Sequence, residues 1–512
     1  MKKTIKKHSP VTGEELGEYP VFTKDEVGRA VSRARAAFPA WKSLSLEERF
    51  DHMDRLIKII NEKCEDLARI ISKDTGKPLV DSLMTELISV PLFVSHYRKT
   101  AAKTLKPYKA KTPLVFAGTK SWVEYHPMGV IGVISPWNFP FQLAVIPVIS
   151  ALIGGNTVVL KPSEVTPLTG KMIHDLFEEL ALPQGTVEVV QGDGSTGAAL
   201  VESDINKVFF TGSVATGRKV MAAAAQRNIP VELELGGKDA MIICEDANLE
   251  RAAAAAVWGG LLNCGQVCTS VERVLVVDSI YECFLEMLKR EMEKVKVGGP
   301  DEDADMGPLI SPAQFEIVKD HIADAVESGA RILFGGKPMD RNGLFHLPTL
   351  LADVTPEMKI YREETFGPVI PVIRVANECE ALCLANDHMY GLTGSVWSSD
   401  IQKARTLASQ MECGQVNIND VIASVANPAI PFGGIKDSGF GRYHGPEGLT
   451  SFMHQKAIMR NKGRNRTEPF WFPYHEKYAD ILEAFRLLAA GKLVSVLKPL
   501  KRLKKINKAA GG

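Results

Sequence analysis

The sequence predicts an α/β protein with two doubly wound parallel-sheet domains, and three observations carry that prediction. Apolar runs of strand length recur from about residue 120 onward, stretches of helical length separate them, and the joints are short and marked by Gly and Pro. A length of 512 residues accommodates two or three such cores.

The first hundred residues read as helices after a short extended opening. Ser45, followed by Glu47 and Glu48, predicts a helix start, and Leu56, Ile59, Ile60, Cys64, Leu67 and Ile71 recur at helical spacing until Gly76-Lys77-Pro78 stops them. Strand-like runs follow at Val130–Ile134, Thr157–Leu160, Val187–Val190, Val208–Phe210 and Val231–Leu235. Helical stretches lie between them at Phe141–Leu152, Leu168–Leu180, Thr196–Val201 and Gly217–Ala225. Such a sheet binds nucleotides at the carboxyl ends of its strands. A helix at Ala252–Leu262 and strands at Arg273–Val277, Val369–Arg374 and Gln415–Ile418 predict the second α/β domain, and after about residue 461 the alternation stops.

Lys+Arg and Asp+Glu both number 61, so net charge points to neither nucleic acid nor an acidic partner. The basic N-terminus lacks the apolar segment of a secretory signal, and no uncharged apolar run of about 18 residues suggests a spanning helix. The eight cysteines are scattered, without disulfide or zinc spacing. The expectations are therefore a reducing, cytoplasmic compartment and no metal.

Four segments carry chemistry. Cys268 in Asn263-Cys264-Gly265-Gln266-Val267-Cys268 is a candidate nucleophile, although a lone cysteine is more often a small core residue. Glu234, before Leu235-Gly236-Gly237-Lys238, ends a strand and is a candidate general base; a solvated strand-end charge is an equal reading. Asn138, between Pro136-Trp137 and Phe139-Pro140, is held stiffly enough to donate to an oxyanion, or simply sits in a turn. Phe210-Thr211-Gly212-Ser213-Val214-Ala215-Thr216-Gly217 is a strand, a glycine turn and a helix start that suits a pyrophosphate but is not the GxGxxG fingerprint.

Taken together, PWNFP, KPSE, FTGSxxxG, ELGGK, GQVC, EETFGPV and PFGGIKDSGFGR occur in an order that resembles the aldehyde dehydrogenase superfamily, from about Val11 to about Arg460. The step from Glu234 to Cys268 (268 − 234 = 34) is similar to the family's spacing as well. The resemblance implies an aldehyde dehydrogenase-like fold, with an NAD(P)-binding domain over 1–120 and 129–236 and a catalytic domain over 237–450. It also implies oligomerisation strands at 121–128 and 451–461, a homodimer or homotetramer, and an added C-terminal amphipathic extension over 462–512. Cys268 would attack the aldehyde, Asn138 and the Cys268 N–H would hold the oxyanion, and Glu234 would activate water against the thioester. Trp137, Lys161, Glu164, Gly212, Ser213, Glu364 and Phe366 match the cofactor site. Glu164 favours NAD, and Lys161 leaves NADP open.

Pro147 and Tyr443 stand where many members carry a lysine and a glutamate on a proton path; the first substitution resembles the class 3 and fatty aldehyde branch. Cys264 would share a helical face with Cys268 if the helix continued. Phe139, Leu143, Leu262, Val267 and Phe432 would line a substrate entrance without an arginine, which favours an apolar aliphatic or aromatic aldehyde over a semialdehyde of a dicarboxylic acid. The alternatives are a CoA-acylating or semialdehyde-specific relative, or a silent binding or scaffold protein. The extension pairs aromatics from Phe470 to Tyr474 with Leu493, Val496, Leu497, Leu500, Leu503 and Ile506 between lysines. It resembles the extensions of a membrane-linked plant and fungal group and suits an anionic membrane surface, the reading slightly favoured over a helix packed on the body or on a partner subunit. Pro499 predicts two short helices there.

Overall fold

The computed structural model describes residues 3–116, 118–464, 467–468, 470–472 and 474–509. Met1, Lys2, Pro469, Pro473 and the last three residues, which belong to the basic N-terminus and the extension expected from sequence, lie outside the described residues. The chain forms two compact units: Met1–Thr104 with Pro127–Met453, and Leu105–His126 with His454–Gly512.

The first unit holds two large sheets. In the six-stranded one the order is Gly439–Phe440, Val231–Glu234, Lys207–Thr211, Val130–Ile134, Thr157–Lys161, Val187–Val189. All neighbours are parallel except Gly439–Phe440, which runs antiparallel at the edge. Val130–Ile134 and Thr157–Lys161 are buried along their whole length, as a sheet covered on both faces requires. The helices predicted between these strands are present at Gln142–Ile153, Pro167–Glu179, Gly194–Glu202 and Val214–Ala225. The seven-stranded sheet runs Arg331–Phe334, Thr349–Ala352, Val369–Val375, Val271–Val277, Asp239–Ile243, Thr393–Trp397, Gln415–Ile418, with its first pair antiparallel. Its core gathers Met241, Ile242, Val274, Leu275, Val372 and Val396.

The N-terminal helices follow the sequence closely, with one interruption. Ser45 caps the helix Leu46–Glu62 through a capping box with Glu48. A break at Lys63 precedes Cys64–Thr75, and Gly76 closes that helix at φ +80°. The break was invisible because the apolar spacing carries across it. Pro78 then opens a continuous helical stretch, Leu79–Thr104, with a π-helical turn at Ser82–Leu87. By length and composition this stretch could cross a membrane. However, Val90, Phe93, Val94, Tyr97 and Ala101 are buried in the unit's interior, so it is a core helix.

The second unit contains a three-stranded sheet, ordered Met453–Arg460, Lys120–Pro127, Tyr108–Ala110, and the C-terminal helices. Ala484, Val496, Leu500 and Leu503 pack together, joining Tyr478–Ala489 to Leu497–Ala509. Pro499 does not break a helix, because it lies in the first turn of Leu497–Ala509, where an N–H has no intrahelical partner to lose.

Candidate functional site

Topology gathers the site. Val130–Ile134, Lys207–Thr211 and Val231–Glu234 are adjacent and point the same way, so the loops leaving their carboxyl ends converge. They deliver Trp137 and Asn138, Gly212 and Ser213, and Glu234. The second sheet contributes Cys268 just before Val271–Val277, and Glu364 and Phe366 just before Val369–Val375. Two cavities result. One, of about 320 Å³, is lined by Trp137, Asn138, Gly212, Ser213, Glu364 and Phe366, together with Cys268 and Glu234. The other, of about 370 Å³, is an apolar tunnel walled by Phe139, Leu143, Trp258, Leu262, Val267 and Phe432. Both reach Cys268 and Glu234, so the thiol stands where they meet.

The approach to Cys268 is irregular. The helix Leu249–Leu261 ends, and Asn263, Cys264 and Gly265 all adopt left-handed backbone (φ +50°, +59° and +69°). Cys264 therefore does not share a helical face with Cys268; it is buried in the core of the second sheet. A side chain at Gly265 would run into the Gly367 carbonyl, and one at Gly237 into the Cys268 carbonyl, so ELGGK and GQVC need their glycines for close backbone approach. Such strain concentrates at functional sites.

The Asn138 amide nitrogen donates to the Gln266 carbonyl at 3.1 Å. One of its two N–H groups is thereby held, which aims the other. Gln266 is itself fixed, donating to the Asn263 carbonyl at 2.9 Å and accepting from the Ile310 N–H at 3.0 Å.

Glu234 is buried, and neither carboxylate oxygen has a hydrogen-bond partner among the described residues. Burial first, then the neighbouring Glu232 carboxylate, pushes its pKa well above the usual range, and Arg442 opposes this in part. An unpartnered carboxyl at the end of a buried strand is costly and is poised to exchange protons. Burial, followed by the Asp239, Glu364 and Glu234 carboxyls, pushes the Cys268 thiol up too, so the resting sulfur is protonated. Tyr443 is buried beside Glu234 and Cys268, and Pro147 lies buried within Gln142–Ile153; neither supplies the charge that lysine or glutamate would.

The larger set of cofactor-matching residues falls into two groups. Trp137, Gly212, Ser213, Glu364 and Phe366 share the first cavity. Lys161 and Glu164 are outside its lining; Lys161 ends the next strand and contacts Glu164 at 2.5 Å. The first group fits a dinucleotide by its donors and shape. Ser213 caps the helix Val214–Ala225, whose open N-terminus suits a pyrophosphate. The half-buried Glu364 carboxyl, raised by desolvation to about 8, accepts the Gly237 N–H at 3.0 Å. Phe366, at φ +50°, stands edge-on to Trp137 with ring centroids 5.3 Å apart. Sequence reasoning missed what holds this strained corner. Glu272 accepts the N–H of Thr365 and of Phe366 while pairing with the buried Lys238, and Gln314 donates to both their carbonyls. Ile422, packed on the tunnel cluster, had no sequence signal either.

Among the described residues, Cys244, Asp246 and Glu378 bring ligand-type atoms within 4.8 Å of one another. The Lys403 ammonium already sits on both carboxylates, at 2.7 and 3.2 Å, so the group is an ion-pair network.

Comparison with known proteins agrees with this geometry. The model of the aldehyde dehydrogenase family matches residues 1–458. The chain is 43% identical to a 4,4'-diapolycopene aldehyde oxidase of Methylomonas sp over 472 residues, covering 92% of this chain and 88% of that one. It is 37% identical to a putative succinate-semialdehyde dehydrogenase [NADP(+)] of Mycobacterium bovis, covering 90% and 89%. The crystal structure of a Mycobacterium tuberculosis aldehyde dehydrogenase complexed with NAD+ superimposes with a TM-score of 0.86 at 36% identity, covering 91% and 96%. With its thiol at the meeting point of two cavities on this fold, the chain belongs to the aldehyde dehydrogenase family and is an NAD(P)-dependent enzyme of aldehyde oxidation.

Proposed function

We propose that the protein oxidises a long apolar aldehyde to its carboxylic acid through a thioester on Cys268, and the observation that carries this is the junction of the two cavities at that sulfur. The tunnel wall is apolar, and among the described residues no arginine or lysine lines it to grip a carboxylate on the substrate. Its rim adds Met84, Ile88, Leu92 and Trp258, each between 45% and 50% exposed. A rim of that kind suits a hydrocarbon tail better than a charged one. The similarity to an enzyme named for a polyene aldehyde runs the same way.

Glu234, in its ionised form, takes the Cys268 proton and releases it to solvent, and the sulfur attacks the carbonyl carbon. The free N–H of Asn138 and the backbone N–H of Cys268 receive the oxyanion, each such donor being worth about 3–4 kcal/mol in the barrier. NAD(P), when bound against Trp137, Glu364 and Phe366, supplies the hydride acceptor. Glu234 then takes a proton from water as its oxygen attacks the thioester carbon; the C–S bond breaks, thiolate returns to Cys268, and the acid leaves. Glu234 has no hydrogen bond to give up before it does so. Lys161 and Glu164 serve the adenosine end, with NAD preferred. Of the span 1–120 and 129–236 expected for the cofactor domain, residues 105–120 fall in the second unit; the rest is assigned to the cofactor domain and 237–450 to the catalytic domain.

We assign the strands Lys120–Pro127 and Met453–Arg460 to pairing between copies, giving a dimer or tetramer. The second unit is assigned to an anionic membrane surface. Tyr478, Ile481, Phe485 and Leu488 are exposed along one side of Tyr478–Ala489, and Lys498, Lys501, Lys504 and Lys505 are exposed on Leu497–Ala509. The deciding experiment is an aldehyde panel read by NADH absorbance, without CoA and with Cys268→Ala as control. Decanal is expected to outperform succinic semialdehyde in kcat/KM, and the reverse order refutes the substrate reading. Flotation with anionic liposomes should be lost on truncation at Thr467; equal flotation refutes membrane contact.

A further inference from the structure

The loop that carries Asn138 is tied down by two residues, Lys77 and Glu86, that line neither cavity. Lys77 and Glu86 flank the start of Leu79–Thr104 and form an ion pair at 2.8 Å with side chains 1% and 0% exposed. A fully buried pair stabilises a fold poorly, because desolvating both charges offsets most of their attraction. The remaining valences of this pair go to one place. The Lys77 ammonium donates to the Asn138 backbone carbonyl at 2.9 Å and lies 4.5 Å from the centre of the Phe139 ring. The second oxygen of Glu86 accepts the N–H groups of Phe141 and Gln142, at 3.0 and 2.9 Å, where Gln142–Ile153 begins. The pair thus grips the backbone on both sides of Phe139-Pro140. Asn263 adds a third tie, donating to the same Asn138 carbonyl at 2.9 Å, and its own N–H goes to the buried Asp81. Asp81 is the other charged group close to the pair, and burial raises its pKa to about 6.

We infer that Lys77 and Glu86 are positioning residues, which fix the backbone of Asn138 so that its one free N–H points at the oxyanion. This rests on the role given to Asn138 above. An oxyanion donor is effective only when its orientation is settled before charge develops. Gln266 holds the Asn138 side chain, while the Lys77–Glu86 pair holds the main chain from which that side chain springs.

The test uses the full-length enzyme with NAD+ and an aldehyde from the panel. The double variant Lys77→Met with Glu86→Gln replaces both charges by neutral groups of similar size and so avoids stranding one charge. It is expected to lower kcat at least tenfold, while KM for NAD+ and the rate of Cys268 alkylation by iodoacetamide stay within twofold. The decisive readout is the same double change made in an Asn138→Ala background, where it should alter kcat by less than twofold, because the group being positioned is gone. A folded double variant with parental kcat overturns the proposal. An equal loss in the Asn138→Ala background also overturns it, since a merely structural role predicts additivity. If the double variant does not fold, Lys77→Arg, which keeps the charge but moves the donors, is judged by the same two outcomes. Asn138→Ala at the parental rate removes instead the role of Asn138 on which the inference stands, and the kinetics are read with whichever aldehyde the panel shows to be oxidised fastest.

Discussion

The two cavities that meet at Cys268 are built on opposite logics. The cofactor cavity is specified by backbone: a helix N-terminus behind Ser213, a left-handed Phe366, and an N–H of Gly237 held by Glu364. The backbone at Thr365 and Phe366 is locked by a polar lattice of the buried Glu272 and Lys238 with Gln314. The tunnel is specified by bulk: the side chains of Phe139, Leu143, Leu262 and Val267 pack as one apolar cluster with Ile422 against it. A site that must orient a polar dinucleotide needs directional contacts, whereas one that takes a hydrocarbon needs only shape and dryness. Changes in the first cavity should therefore act through geometry, and changes in the second through size and polarity.

The largest effect tests the point shared by both cavities. Cys268→Ala should abolish NADH formation with every aldehyde while leaving NAD+ binding, read by protein fluorescence, intact. Glu234→Gln comes next: loss of a general base costs about 10²–10⁴-fold, and a burst of NADH close to one per active site should precede the slow steady state. The pH profile sharpens this. Because the Glu234 pKa is raised, its base form appears only as pH climbs above the ordinary carboxylate range, so kcat should rise with pH through that region. The rising limb should vanish in Glu234→Gln. Leu262→Arg confines the change to the tunnel wall; it should shift the decanal to succinic semialdehyde ratio of kcat/KM by roughly 10–100-fold toward the carboxylate-bearing semialdehyde. Equal loss for both substrates would break the contrast between the two cavities. Glu164→Gln is expected to be smallest, improving use of NADP over NAD by about threefold, since this partly exposed carboxylate is screened and already paired with Lys161.

How much of this was legible in sequence depends on the range of the interaction. The strand ends that deliver Asn138, Glu234 and the Gly212–Ser213 turn were readable because strand, glycine and helix signals lie within a few residues of each other. The helix start at Ser45 was readable for the same reason, through a box that closes over three residues. The break at Lys63 was not, since apolar periodicity continues across it. The Lys77–Glu86 grip on residues 138–142 was not either, because it spans 55 to 61 positions and neither residue forms a motif with its target. That Glu234 lacks partners is a property of its surroundings and leaves no mark on its own segment.

That unpartnered carboxyl has a consequence for how the protein withstands heat. A group whose pKa is raised on folding makes the native state weaker as it ionises, so stability declines as pH climbs from the unfolded carboxylate value through the native one. The conditions that arm the base are thus those that loosen the fold, and working activity and durability pull in opposite directions at this single atom pair. A neutral, apolar replacement such as Glu234→Leu should melt at a higher temperature than the parent, with the gap widening as pH rises from the unfolded carboxylate value to the raised native one.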